Sequence, residues 1–223
     1  MPLGYSCMGS YDHSSQATVL RPLQPLSTRL STFVLWGSLV GLAFFSIYPT
    51  TNWLTGLGSR HYSLFFEEEL RLPFVPEFIW LYLSMYVLFI LPPFLLNPGE
   101  LKRLAKELIL ATCISGIAFL ILPAQLGFSR SLPAEDLYRG IFQSLFSVDQ
   151  PFNLVPSLHV VYSTSISLAL IARANTFVRR LLSVWLVLIV SSTVLVHQHH
   201  LLDVITGVAL ALLMRLFLEK KID

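Results

Sequence analysis

The residues able to do chemistry fall into two short motifs in the second half of the chain. Pro156-Ser157-Leu158-His159 opens one apolar run, and His197-Gln198-His199-His200-Leu201-Leu202-Asp203 opens another. Residues four apart on a helix share a face, one turn apart. A carboxylate at Asp203 is therefore placed to take the Nδ1 proton of His199, fix its tautomer and leave Nε2 as a nucleophile. His159, at the mouth of a neighbouring helix, then has the position of a general acid. This is equipment for phosphoryl transfer through a phosphohistidine, and the reaction so assembled calls for no metal and no other cofactor.

The elements that must hold these residues are membrane helices. The chain has 223 residues, 54% hydrophobic and 13% charged, with mean hydropathy +0.67. A soluble domain carries about 25% charged residues, so this composition belongs in a bilayer. Apolar runs cover 31–50, 76–96, 104–123, 156–173, 181–198 and 201–218. A bilayer core of about 30 Å takes about 20 helical residues. The predicted fold is all-α, a polytopic bundle of six transmembrane helices, with a polar tail over 1–30 and a membrane catalytic domain over 31–223. The last three runs are shorter and carry serines and histidines, as helices lining a polar cavity do.

Charge fixes the predicted orientation. With six spans, eleven of the fifteen Lys and Arg residues share one side, and Arg60, Arg71, Arg130 and Arg139 take the other. The positive-inside rule then puts both termini in the cytoplasm. Both histidine motifs fall on the opposite surface, so the site faces away from the cytoplasm in a multi-pass cell membrane or endomembrane. Residues 1–30 hold no apolar core and do not form a secretory signal. A net charge of +2 gives no footprint for nucleic acid. Cys7 and Cys113 read as free thiols rather than a disulfide framework. Between the first two spans, residues 51–75 fit either an interfacial helix on the outer leaflet or an ordinary loop. Pro92-Pro93 and Asn97-Pro98-Gly99 end the second span, and 124–155 is the longest outer loop.

Pro156 suits the first turn of a helix, where its missing N–H is not needed. Ser157 and the free N–H groups of that turn form an anion-binding helix start. Three histidines in four residues followed by an aspartate form a costly cluster so near a span, and such clusters mark function. A zinc site competes for the same residues, since His159, His197, His199, His200 and Asp203 are all ligand types. Against it, His199 and His200 point apart on a helix, and the helical His-Glu-x-x-His pattern is absent. A non-catalytic lipid-binding membrane protein is the reading of another class.

Taken together, these motifs resemble the type 2 phosphatidic acid phosphatase superfamily, and within it the branch related to inositol phosphorylceramide synthase. The segments 149–159 and 198–207 carry that likeness. The resemblance implies a lipid phosphatase or phosphotransferase acting on a phosphorylated lipid. It implies His199 as nucleophile, Asp203 as its orienting carboxylate and His159 as general acid. Ser157 matches a phosphate-binding position, and Arg130 matches the arginine of the family's first motif. The family's other two phosphate-side cations are replaced by Pro123 and Thr193. Fewer cations weaken stabilisation of transition-state charge. The expected cradle is therefore completed from Arg130, Arg139, His197, Gln198 or His200.

Overall fold

The computed structural model describes residues 22–219. The polar tail up to residue 21, Cys7, and Lys220 and Lys221 lie outside that range. The described residues are helical: α1 (Leu26–Leu57), α2 (Ile79–Leu83), α3 (Met85–Ile90), α4 (Pro92–Leu95), α5 (Pro98–Ile121), α6 (Asp136–Val148), α7 (Leu158–Ile171), α8 (Thr176–Leu195) and α9 (Leu201–Glu219). Four of them, α1, α5, α8 and α9, are long and apolar enough to cross a membrane. Two further apolar stretches, Pro76–Ile90 and Leu158–Ile171, are shorter.

Local chemistry sets the ends. Asn97, Pro98 and Glu100 start α5 rather than merely ending the preceding run. The Asn97 N–H donates to Glu100 Oε2 at 2.7 Å, and Pro98 fills a first-turn position that needs no donor. Asn175 caps α8 by accepting the Val178 N–H at 3.0 Å. Ser157 caps α7 by accepting the Val160 N–H at 3.3 Å. Pro156 therefore precedes the cap and is not inside the first turn.

Three other expectations change. The run 76–96 is not one helix. It breaks at Ser84, whose hydroxyl bonds the Leu81 carbonyl at 2.6 Å, and again at Leu91, before Pro92-Pro93. Residues 51–75 hold no interfacial helix: α1 continues to Leu57, and only a 3-10 turn at Glu67–Arg71 follows. The amphipathic helix is α6, inside the 124–155 segment. Its Ile141, Phe142, Leu145 and Phe146 pack with Ile79, Tyr82 and Val196.

The core gathers residues of α3, α5, α7, α8 and α9, with Phe119, Val161 and Ile189 fully buried. Helices in lipid gain little by merely hiding apolar surface from each other, so close packing and small residues decide their approach. Ala111, Ser115 and Ala211 are fully buried. Thr112 and Tyr162 join α5 to α7 through their hydroxyls at 2.7 Å.

Candidate active site

The two histidine motifs meet where the start of α7 crosses the start of α9. Gly207 makes that approach possible, since a Cβ there would stand 2.9 Å from the Ser157 carbonyl oxygen and 3.0 Å from Val160 Cβ. The Ser157 N–H donates to the Asp203 backbone carbonyl at 3.1 Å, tying one motif to the other. Overpacking such a contact costs about 1–3 kcal/mol and moves backbone. Gly207→Ala is therefore expected to lower turnover at least tenfold, since it pushes His159 away from His199. Wild-type turnover in that variant would show that the spacing is not critical.

His199 lies before α9 and not on it. The chain leaves α8 through His197, whose φ of 56° is left-handed. The N–H groups of Gln198 and His199 both donate to the Thr193 carbonyl at 3.0 Å. Asp203, in the first turn of α9, reaches back. Its Oδ2 accepts from His199 Nδ1 at 3.2 Å and from the His200 N–H at 2.8 Å. A carboxylate only accepts, so His199 carries its proton on Nδ1. Its Nε2 has no hydrogen bond among the described residues, and the side chain lines the central cavity. His159 lines the same cavity. It stacks on Tyr82 with ring centroids 4.0 Å apart, and its Nε2 is buried without a partner among the described residues.

The other two histidines of the cluster do different work. His200 is 1% exposed. Its Nδ1–H donates to Glu69 Oε2 at 3.2 Å, and its Nε2 accepts the Gly127 N–H at 3.0 Å. Phe65 and Phe128 stack on its ring at 4.6 and 4.4 Å. Phe128 also stacks on His197 at 4.0 Å, and His197 Nε2 bonds the Leu72 carbonyl at 3.1 Å. Glu69 in addition accepts the Leu201 N–H at 2.8 Å. These rings clamp the Arg130 loop and the Glu69 turn onto the start of α9. Burial pushes both imidazoles below the ordinary histidine range, and Asp203 and Glu69 partly restore His200. His197 and His200 are thus engaged by their own hydrogen bonds and ring stacks, and neither lines the cavity that His159 and His199 share. Among the described residues no group of three or more His, Cys, Asp or Glu side chains is arranged to hold a metal ion.

Arg130 enters from the segment between α5 and α6. One guanidinium N–H donates to the Asp149 carbonyl at 2.6 Å. The group lies over the Phe146 ring at 4.9 Å, and its Nε is buried without a partner among the described residues. Burial lowers its pKa, opposed by Asp149 and two tyrosines. Asp149 lines the cavity together with His159 and His199. Its Oδ1 accepts the Tyr48 hydroxyl at 2.6 Å. Burial raises the Asp149 carboxyl, opposed by the Tyr48 hydrogen bond and by the charges of His199 and Arg130.

Of the remaining sequence candidates, Ser157 is fully buried with its oxygen used as the cap. Gln198 is 3% exposed, with weak 3.4 Å contacts to the Val196 and His197 carbonyls. Arg139 is not brought to the histidines. It is held by Asp136 and by the Pro133 and Ala134 carbonyls. Thr193 is buried under the His197 turn, where its carbonyl supports His199. Sequence reasoning missed Glu69, Tyr82, Tyr48 and Asp149. Only Asp149 had a signal, since it opens the segment that leads to His159.

The described residues are helical with no strand, four helices are long and apolar enough to cross a membrane, and a buried His–Asp pair lines one cavity with a second histidine. The PAP2 superfamily matches residues 56–217, and the chain belongs to that superfamily. No curated protein and no solved structure matches it. Membership supports an enzyme of the phosphatase or phosphotransferase type acting on a phosphorylated lipid in a membrane.

Proposed function

We propose that the protein is a metal-independent lipid phosphatase that cleaves a phosphate ester or anhydride of a lipid through a phosphohistidine. The observation that carries this is the His199–Asp203 pair, with a bare Nε2, in one cavity with His159. His199 Nε2 attacks phosphorus in line. The bond to the leaving oxygen breaks, and His159 gives that oxygen its proton. His159 then takes a proton from water, whose oxygen attacks phosphorus and frees His199. Asp203 balances the imidazolium charge in both halves. With Pro76–Ile90 and Leu158–Ile171 as the two shorter of six crossings, the Lys and Arg bias puts both termini in the cytoplasm and the site outside it, in a multi-pass cell membrane or endomembrane.

The test is phosphate release from a panel of lipid phosphates by purified protein in detergent, with a chelator present. Activity is expected to survive the chelator, because His199, His159 and the helix start supply the chemistry. Loss with chelator and recovery with zinc would promote a metal-dependent reaction. Binding without any turnover would promote a non-catalytic lipid-binding role.

Transfer to an alcohol, as in the inositol phosphorylceramide synthase branch, is a second reading that Asp149 favours. Its Oδ2 has no hydrogen bond among the described residues and offers an acceptor to a hydroxyl beside His199. Added alcohols that divert the phosphoryl group from water would establish it.

Arg130 is the proposed main cation of the phosphate site. Removing a donor of this kind costs about a hundred- to a thousand-fold in turnover, and Arg130→Ala is expected to fall in that range. Arg130→Lys is expected to fail too, because a point charge cannot reproduce the planar fork. Arg139→Ala is expected to stay within a few-fold of wild type. The reverse order in rate measurements would move the phosphate site toward Arg139.

A further inference from the structure

The cavity that holds the histidines continues far beyond them. It has a volume of about 690 Å³. Its polar end carries Asn52, Asp149, His159 and His199, and its other end reaches Phe33 and Leu101. Along α1 the lining runs from Asn52 back to Phe33, about 28 Å of helix axis at 1.5 Å per residue. That is close to the whole hydrocarbon depth of a bilayer, about 30 Å, and about twice the depth of one leaflet. The slot opens sideways: Phe45 and Tyr86 line it while being 74% and 58% exposed.

We propose that this slot binds an extended hydrocarbon chain of the substrate, one long enough to pass the bilayer midplane, with the phosphate at His199. This rests on the lipid-phosphate reading above and adds the length of the chain. Gly37 and Gly41 act as the floor of the slot. Both line it, and a Cβ built on either meets nothing within 4 Å. Their missing side chains leave room for the ligand and not for a neighbouring helix. Counted from Asn52, Gly41 lies about 16 Å down the slot and Gly37 about 22 Å.

A Cβ at either position meets open space beside the slot that both glycines line, so leucines there are expected to shorten it in steps. The experiment uses purified full-length protein and a series of octyl, dodecyl, hexadecyl and eicosyl phosphate. Phosphate release and retention of the unreacted lipid by native mass spectrometry are measured side by side. Wild type is expected to turn over the two longest substrates at least as well as octyl phosphate. Gly41→Leu is expected to lose at least tenfold on hexadecyl and eicosyl phosphate while octyl phosphate stays within about twofold. Gly37→Leu is expected to lose mainly eicosyl phosphate. The order of the two cutoffs is the sharp part, because a folding defect lowers all chain lengths together. Equal losses at every length, or none, would overturn the slot while leaving the phosphatase reading intact. Retention that shows the two cutoffs without phosphate release would keep the slot and overturn the phosphatase reading.

Discussion

His199→Ala is expected to abolish both turnover and the phosphoenzyme. Every step of the proposed reaction passes through a bond between His199 Nε2 and phosphorus, and no neighbouring group is placed to substitute. His200 has both ring nitrogens engaged by Glu69 and Gly127. His197 bonds the Leu72 carbonyl from a left-handed turn. Asp149 is a buried carboxylate and a poor nucleophile toward an anion. Loss of a nucleophile in comparable covalent enzymes costs about a million-fold. Initial rates of phosphate release, together with alkaline quenching of protein labelled from a radioactive lipid phosphate, check this. Activity above a few per cent of wild type would reassign the nucleophile. His200→Ala is expected to be much milder. It leaves the nucleophile in place and loosens the clamp on the Arg130 loop, so its effect is expected mainly in KM. Phenylalanine at His200 keeps the ring stack with Phe65 and Phe128 and is expected to recover part of that loss.

The His199–Asp203 contact was legible because it is local. His199 and Asp203 lie four residues apart, and that spacing alone predicts their contact. Even so, the contact forms differently: His199 precedes the helix, and Asp203 reaches back to it as a first-turn carboxylate that also takes the His200 N–H. The long runs were legible as helices because hydropathy over about 20 residues is a strong signal. The break at Ser84 was not, because an apolar window averages over one serine hydroxyl that competes for a carbonyl. Helix α6 was hidden differently. Its apolar residues Ile141, Phe142, Leu145 and Phe146 follow a helical period, but the segment is too polar to register as a span. Glu69 had no signal at all. Its partners His200 and Leu201 are 131 and 132 residues away in sequence, and only the folded chain brings them together. The same holds for the division of labour among His197, His199 and His200, which depends on the turn geometry after α8.

Asp203→Asn is expected to keep the protein folded and to lower turnover about a hundred- to a thousand-fold, and the structure says why the loss stops there. Replacing the carboxylate of a catalytic triad can cost about ten-thousand-fold when the amide turns its NH₂ to the histidine and imposes the wrong tautomer. That flip is opposed here. The oxygen facing His199 also accepts the His200 N–H at 2.8 Å, and an NH₂ in its place would meet that donor head on. Oδ1 is buried with no partner among the described residues, so an amide nitrogen sits there without displacing a hydrogen bond. The asparagine therefore presents its oxygen to His199, keeps the proton on Nδ1 and leaves Nε2 available. What is lost is the negative charge that stabilises the imidazolium as phosphorus is transferred, a loss on the scale of removing one charge-stabilising group, about 3–4 kcal/mol. Asp203→Ala loses the orientation as well and leaves the buried His200 N–H unpaired. It is expected to fall about ten-thousand-fold and to melt at a lower temperature, since an unpaired buried donor costs about 1–3 kcal/mol. Single-turnover rates of phosphoenzyme formation, measured beside thermal melting, separate the two. Equal losses in the asparagine and alanine variants would mean that the His200 N–H does not hold the amide in place, and wild-type rates in Asp203→Asn would reduce Asp203 to a helix cap.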